Sequence, residues 1–293
     1  MKRKSESLLL RSFVLMFGAG LIAAAGDRFV IQDIGGDRVM VLENGKPYLV
    51  YNFGNQIMQG VPDDRKRCCY IFPVYTPAGV SVTDDFPKDH YHHRGLFWAW
   101  PVIETSTGAY DLWTLKGAEH RFKRWLEQES GETGASLTVD NGWYIKGKEV
   151  ALENVHISLR PSDEHQRDFS VTLTITAAEP LTIKGSPDNS KGYGGFSARF
   201  APRTGTTIRT DSGILEGDED HGRHAWAELE ASYGGKKAVL RISPESSNPG
   251  VPYEWCLRQY GFVGANFPGV PAYRLEPLKP LILKFRVNLK DIP

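Results

Sequence analysis

The chain is poor in cysteine, with three in 293 residues. An odd number leaves at least one thiol unpaired, and Cys68 and Cys69 are neighbours whose mutual bond would close a strained ring. If a bond forms in an oxidising compartment, a bridge from one of them to Cys256 is the more natural one; buried free thiols are the default. Charge of one sign is also missing, since 35 basic residues face 35 acidic ones. Setting aside residues 1–25 removes four basic residues and one acidic, leaving 31 against 34. That balance supplies no basic face for phosphates and speaks against a nucleic-acid partner.

Long apolar runs are scarce as well. The one at the start, Ser12 to Leu21, is shorter than the roughly 20 residues that cross a bilayer and is broken by glycine. Lys2, Arg3, Lys4 and Arg11 precede or flank it and Ala23-Ala24-Ala25 follow, the pattern of an export signal with a small-residue cleavage site. No cysteine follows those alanines, which argues against a lipid anchor. The expectation is a signal peptide over 1–25, with an uncleaved N-terminal anchor as the alternative, a single domain over 26–293 and a periplasmic or secreted location, with no membrane span after the signal.

Amphipathic stripes longer than about three turns are absent too, and strands do not alternate with helices as βαβ units require. What fills the chain is period two. Val155, Ile157 and Leu159 alternate with polar residues, Val171, Leu173 and Ile175 alternate with threonines, and Leu281 to Leu289 repeats the pattern. Such runs have one buried and one wet face, as antiparallel strands do. Turn signals punctuate them at Asn44-Gly45, Asp140-Asn141-Gly142, Lys146-Gly147 and Gly234-Gly235. More than a dozen short strands with no linker or repeat predict an all-β chain, a large two-sheet antiparallel β-sandwich. Long irregular segments are expected at 53–68, 76–95, 104–120, 185–195, 212–225 and 244–272, and loops of that length tend to carry function.

Chemistry concentrates in those segments. Asp89-His90-Tyr91-His92-His93-Arg94 packs three of the eight histidines beside an acid and an arginine. On an extended backbone His90 and His92 would share a face with His93 turned away. That pair suits proton transfer near neutral pH, or a divalent metal if further ligands come from elsewhere. No cofactor is required by the pattern. Arg94 can clamp polar ligand groups or pair with an acid. The glycines of Lys191-Gly192-Tyr193-Gly194-Gly195 permit close approach of a ligand to the sheet, and no helix follows them to cap a phosphate. The run from Asp218 to Trp226 is charge-dense but lacks the EF-hand pattern. Asp111 with Trp113, and Glu254, Trp255 and Arg258, add acids, a cation and stacking surfaces. Aromatic residues make up 11% of the chain, including seven tryptophans, enough to serve either a sandwich core or a sugar platform.

These motifs resemble, in order, an exported bacterial family of uncertain function. The residues are Asp89-His90-x-His92-His93-Arg94-Gly95-Leu96, Asp111-x-Trp113, the segment from Lys191 to Phe200, Gly222-Arg223-x-x-Trp226, and Asn248-Pro249-x-x-Pro252-x-x-Trp255-x-x-Arg258-x-Tyr260-Gly261. The family goes under the label "methane oxygenase PmoA". A membrane copper monooxygenase subunit needs several apolar spans, which this chain does not have after its first 25 residues. In architecture the family is similar to the large sandwiches of aldose epimerases and related carbohydrate-active proteins.

The resulting expectation is an enzyme acting on a sugar or glycoside. His90, His92 or His93 would move the proton, with Glu254, Asp111 or Asp89 as the partner carboxylate. Arg94, Arg258 and Lys191 would hold ligand hydroxyls, and Trp113 or Trp255 would stack on the ring. The alternatives are a non-catalytic carbohydrate-binding sandwich, and a metal-dependent enzyme using His90 and His92. The expected partner is a small molecule or oligosaccharide.

Overall fold

The computed structural model describes residues 27–293; the expected signal segment lies outside the described residues. Period two translates directly into strands. Gln166–Ala177 alternates half-buried and buried residues along its whole length, and it pairs with Leu281–Ile292 so that Val171 faces Phe285 and Leu173 faces Leu283. The threonines between them point away from the core. At Asn44-Gly45, Lys146-Gly147 and Gly234-Gly235 both turn residues are left-handed, with φ of 49° and 73°, 50° and 82°, and 59° and 88°. Such two-residue turns match the twist of the strands they join.

The chain is all-β, as its pattern predicts, and every named strand pair is antiparallel. A front sheet holds, in spatial order, Phe29–Asp33, Arg38–Glu43, Lys46–Asn52, Tyr70–Val74, Leu96–Ala99, Gly195–Arg199, Phe262–Asn266, Tyr253–Arg258 and Glu219–His224. A back sheet holds Gly213–Ile214, Thr204–Thr210, Ala227–Tyr233, Lys236–Pro244, Leu281–Ile292, Gln166–Ala177, Lys148–Leu159, Ala135–Ile145 and Ala118–Ser130. Four short strands, Tyr273–Leu275, Leu181–Lys184, Val102–Thr105 and Gly108–Tyr110, make a third sheet. Among the described residues no helix is long and apolar enough to cross a membrane.

The two large sheets close on one another through aromatic side chains. Phe196 of the front sheet stacks on Phe285 of the back sheet at 4.4 Å, and Trp100 meets Trp143 at 5.0 Å. Each is fully buried. Burying one such side chain stabilises the fold by about 1.5–3 kcal/mol, so this interface orders both sheets.

Two expectations are corrected. Asp140-Asn141-Gly142 is no turn but the middle of Ala135–Ile145, because the Asn141 amide donates to Tyr51 Oη (3.0 Å) and to Glu153 (3.1 Å) inside the core. The segment 244–272 contains two front-sheet strands, and 212–225 contains Glu219–His224. Trp255, Leu257, Val263 and Ala265 supply the inward face that makes 253–266 a hairpin rather than a loop. No bridge reaches Cys256. All three thiols are free and buried; Cys68 Sγ donates to the His120 carbonyl and lies 3.1 Å from Cys69 Sγ, whereas Cys256 sits in Tyr253–Arg258, which pairs with 262–266 and 219–224.

Candidate functional site

Alternation on the front sheet decides which side chains face away from the back sheet. Phe196, Trp98, Ala265 and Trp255 are paired neighbours turned toward the core. The residues between them therefore point outward: Phe97, Ser197, Gly264 and Cys256 in one row, then Arg199, Phe262 and Arg258 in the next. Gly264 leaves room in that floor, since a Cβ there would come within 2.8 Å of the Phe262 ring. The histidine loop and the segments bearing Trp113 and Lys191 fold over this outer face. They enclose a cavity of about 200 Å³. Larger hollows of about 480 and 520 Å³ lie over turns at 129–136 and 104–106 and hold no imidazole, and one of about 300 Å³ beside Asp211 holds only that of His224.

The backbone from 87 to 93 is two successive turns rather than an extended strand, with His90 N–H donating to the Pro87 carbonyl (2.9 Å) and His93 N–H to that of His90 (2.8 Å). The expected division of the histidines fails for that reason, and all three imidazoles converge on the cavity. They form a column. Tyr260 stacks on His90 at 5.3 Å, His90 on His93 at 4.6 Å and 3°, and His93 on Phe262 at 4.8 Å. His92 stands edge-on to His93 at 4.6 Å. Trp113 closes the side, 5.8 Å from His93.

Arg94 does not line the cavity. It is fully buried and donates to the carbonyls of Tyr91 (2.6 Å), His93 (2.7 Å) and Arg65 (2.5 Å), with its guanidinium 3.6 Å from the Phe86 ring. Its role is to fasten the loop to the molecule beneath. Asp85, 3.4 Å from Arg94 Nε and bonded by the Tyr70 hydroxyl, is pushed up to about 7 by burial, against the pull of that cation.

The histidines differ electrostatically. Burial, reinforced by Arg67 and His90, lowers His92 to about 3, and burial beside the other two rings holds His93 well below the ordinary imidazole range. Both are neutral at physiological pH. His90 is the ring with a carboxylate beside it: Asp89 Oδ2 sits 3.0 Å from Nδ1, off the N–H axis, and Asp89 is gripped through both oxygens by Arg199 (2.7 and 2.8 Å). Partial burial alone would raise Asp89, but the bonds from Arg199 and the nearby His90 ring outweigh it and hold the carboxyl below its ordinary value. Cys256, also at the cavity, is pushed up to about 12 by burial, so it is a thiol and not a nucleophilic thiolate.

Of the other residues expected at a site, Trp113, Lys191 and Arg258 do line the cavity. Arg258 is tied to Asp220 at 2.5 Å and donates to the Glu219 carbonyl. Asp111 lies outside it, where it holds the turn that presents Trp113 by accepting from the Thr114 N–H (2.8 Å) and hydroxyl (2.5 Å). Glu254 lines a separate hollow with Asn266 and Tyr273, paired with His221 (3.2 Å) and Arg223 (3.1 Å). Trp255 is turned inward, fully buried, its indole N–H donating to the His224 carbonyl at 2.9 Å. Tyr193, Cys256, Tyr260 and Phe262 complete the lining without having been singled out as ligand contacts. The signal for the last two was the Tyr260-Gly261 turn, which folds Phe262 back opposite Arg258.

Among the described residues, no three His, Cys, Asp or Glu side chains converge as metal ligands. The expected pair, His90 and His92, stands edge-on at 5.6 Å, and no third ligand joins it among the described residues.

The chain is thus an all-strand antiparallel protein of two large sheets and a small third one, with an imidazole-rich cationic cavity on the outer face of one large sheet. The chain belongs to a family of unknown function (DUF6807), which matches residues 38–291. No oxygenase label accompanies that match. No curated protein matches the chain. Among solved structures it is similar to a GalM/aldose epimerase homologue from C. elegans, at 7% identity and a TM-score of 0.37, over 91% of this chain and 100% of that one. A second likeness is to 4-alpha-glucanotransferase from Thermococcus litoralis, at 11% identity and a TM-score of 0.34, over 91% of this chain and 40% of that one.

Proposed function

We propose that the cavity binds a sugar or glycoside and that His90 transfers a proton to or from it. The observation that carries this reading is that His90 alone of the three imidazoles both lines the cavity and touches a carboxylate, Asp89 at 3.0 Å. The carboxylate sits beside one ring nitrogen, off its N–H axis, and the other nitrogen is left for the substrate. Trp113 and Tyr260 offer ring faces and edges, while Lys191 and Arg258 offer donors for hydroxyls. The volume suits one small ring. Among the described residues no carboxylate lines the cavity, so paired-carboxylate glycoside hydrolysis lacks its groups here. Imidazole-driven ring opening or epimerisation fits the set better. In this reading residues 26–293 act as one exported domain in the periplasm or outside the cell.

The test is turnover of a panel of monosaccharides and short glycosides, followed by NMR of the anomeric and ring protons. Replacing His90 with Gln should cut turnover by about 10²–10⁴-fold while the melting temperature stays within a few degrees. Unchanged turnover in that variant overturns the assignment of His90. Saturable binding without product by the unaltered protein replaces the enzyme with a carbohydrate-binding module.

A further inference from the structure

We propose that the ligand of this cavity is an acidic sugar whose carboxylate is received by Lys191 and Arg258. The inference rests on the sugar reading above and narrows it. Its basis is a charge mismatch in the lining, which contains two cations and, among the described residues, no carboxylate. Arg258 is offset by Asp220 at 2.5 Å. Lys191 makes no ion pair among the described residues, so one positive charge at the cavity has no partner.

The ground behind the wall has the same sign. Arg67 is buried against the Trp113 segment, donating to the carbonyls of Leu112 and Trp113, and it too makes no ion pair among the described residues. Its Nε and Nη1 have no hydrogen-bond partner. Arg199 is matched by Asp89, while Arg94 lies 3.4 Å from an Asp85 whose carboxyl burial pushes up to about 7. A cavity with this excess attracts an anion and, being partly walled off from water, holds it more strongly than an open surface would. One uncompensated charge at the lining matches a singly charged carboxylate better than a doubly charged phosphate. The aromatic wall of Trp113, Tyr260 and Phe262 then faces the apolar side of the ring.

The experiment compares matched pairs by calorimetric titration at low and moderate salt: D-glucuronate with D-glucose, and D-galacturonate with D-galactose. At least one uronate should bind about tenfold or more tightly than its neutral parent, as a charge-assisted hydrogen bond provides, and added salt should erode the difference. Lys191→Gln should abolish the preference and Lys191→Arg should keep most of it, both with unchanged melting temperatures. Equal affinity for uronate and neutral sugar overturns the carboxylate assignment and leaves the sugar reading standing. Equal competition by succinate keeps the anion site but overturns the sugar reading. Tighter binding of glucose 6-phosphate than of either uronate replaces carboxylate by phosphate. If none of these probes binds, both readings fall.

Discussion

His92 shows how one side chain ties the site to the stability of the molecule. It is held to about 3 in the fold against an ordinary 6.5, by burial first and then by the charges of Arg67 and its neighbours. A neutral imidazole in the fold and a protonated one in the unfolded chain mean that the unfolded state binds more protons below 6.5. The stability that His92 contributes is therefore full above that value and is lost as pH falls toward 3. Asp85 works in the opposite sense. Its contribution is full below its ordinary 3.8 and fades as pH rises to about 7. Replacing His92 with Asn should flatten the acid side of the profile. In denaturant melts at about pH 7 and about pH 4.5, the native protein should lose about 2–3 kcal/mol more than the variant between the two; equal losses would show that His92 is freely solvated. The clustering of these histidines is plain in the sequence, but their electrostatics are not, because Arg65 and Arg67 come from a segment more than twenty residues earlier.

At the scale of the strand, the most demanding group is Glu153, fully buried in the middle of Lys148–Leu159. Trp143 Nε1 donates to it at 2.8 Å from the adjacent strand, and His120 Nε2 lies 3.4 Å away from the strand beyond. Burial would raise its pKa, yet His120 and the indole donors outweigh burial and hold it below the ordinary carboxylate value. The three strands Ala118–Ser130, Ala135–Ile145 and Lys148–Leu159 are thus keyed to one register, since a slip of one residue would turn the carboxylate or its donors to the other face. His120→Leu should cost about 3 kcal/mol or more in urea unfolding, because it strands the charge. Adding Glu153→Met should recover a large part; a double variant as weak as the single one would mean that His120 acts by packing alone. The same network explains why Asn141-Gly142 is a strand although it spells a turn. Its satisfaction comes from Tyr51 and Glu153, which local sequence does not display.

Over the whole molecule, the front sheet has two separate duties on its two faces, and Trp255 marks the division. Beside Glu254 and Arg258 it reads as a stacking platform, but it packs between the sheets. Trp255→Leu should therefore lower stability by about 2–4 kcal/mol while the folded fraction binds its ligand with unchanged affinity; a selective loss of affinity at constant melting temperature would put the indole at the site instead. Local pattern is enough for the all-strand class, most hairpin turns, the alternation of strands such as Gln166–Ala177, and the presence of Trp113, Lys191, Arg258 and the three histidines in segments able to carry chemistry. Those properties are local, set by side-chain period and turn geometry within a few residues. Long-range packing alone placed the Asp89-His90 pair at the cavity wall with Glu254 and Asp111 outside it, used Arg94 to fasten a loop, and left Lys191 with no ion pair among the described residues. Each of those depends on which strands become neighbours across the sheet, and the pairing of 195–199 with both 96–99 and 262–266 joins parts of the chain whose separation in sequence carries no local signal.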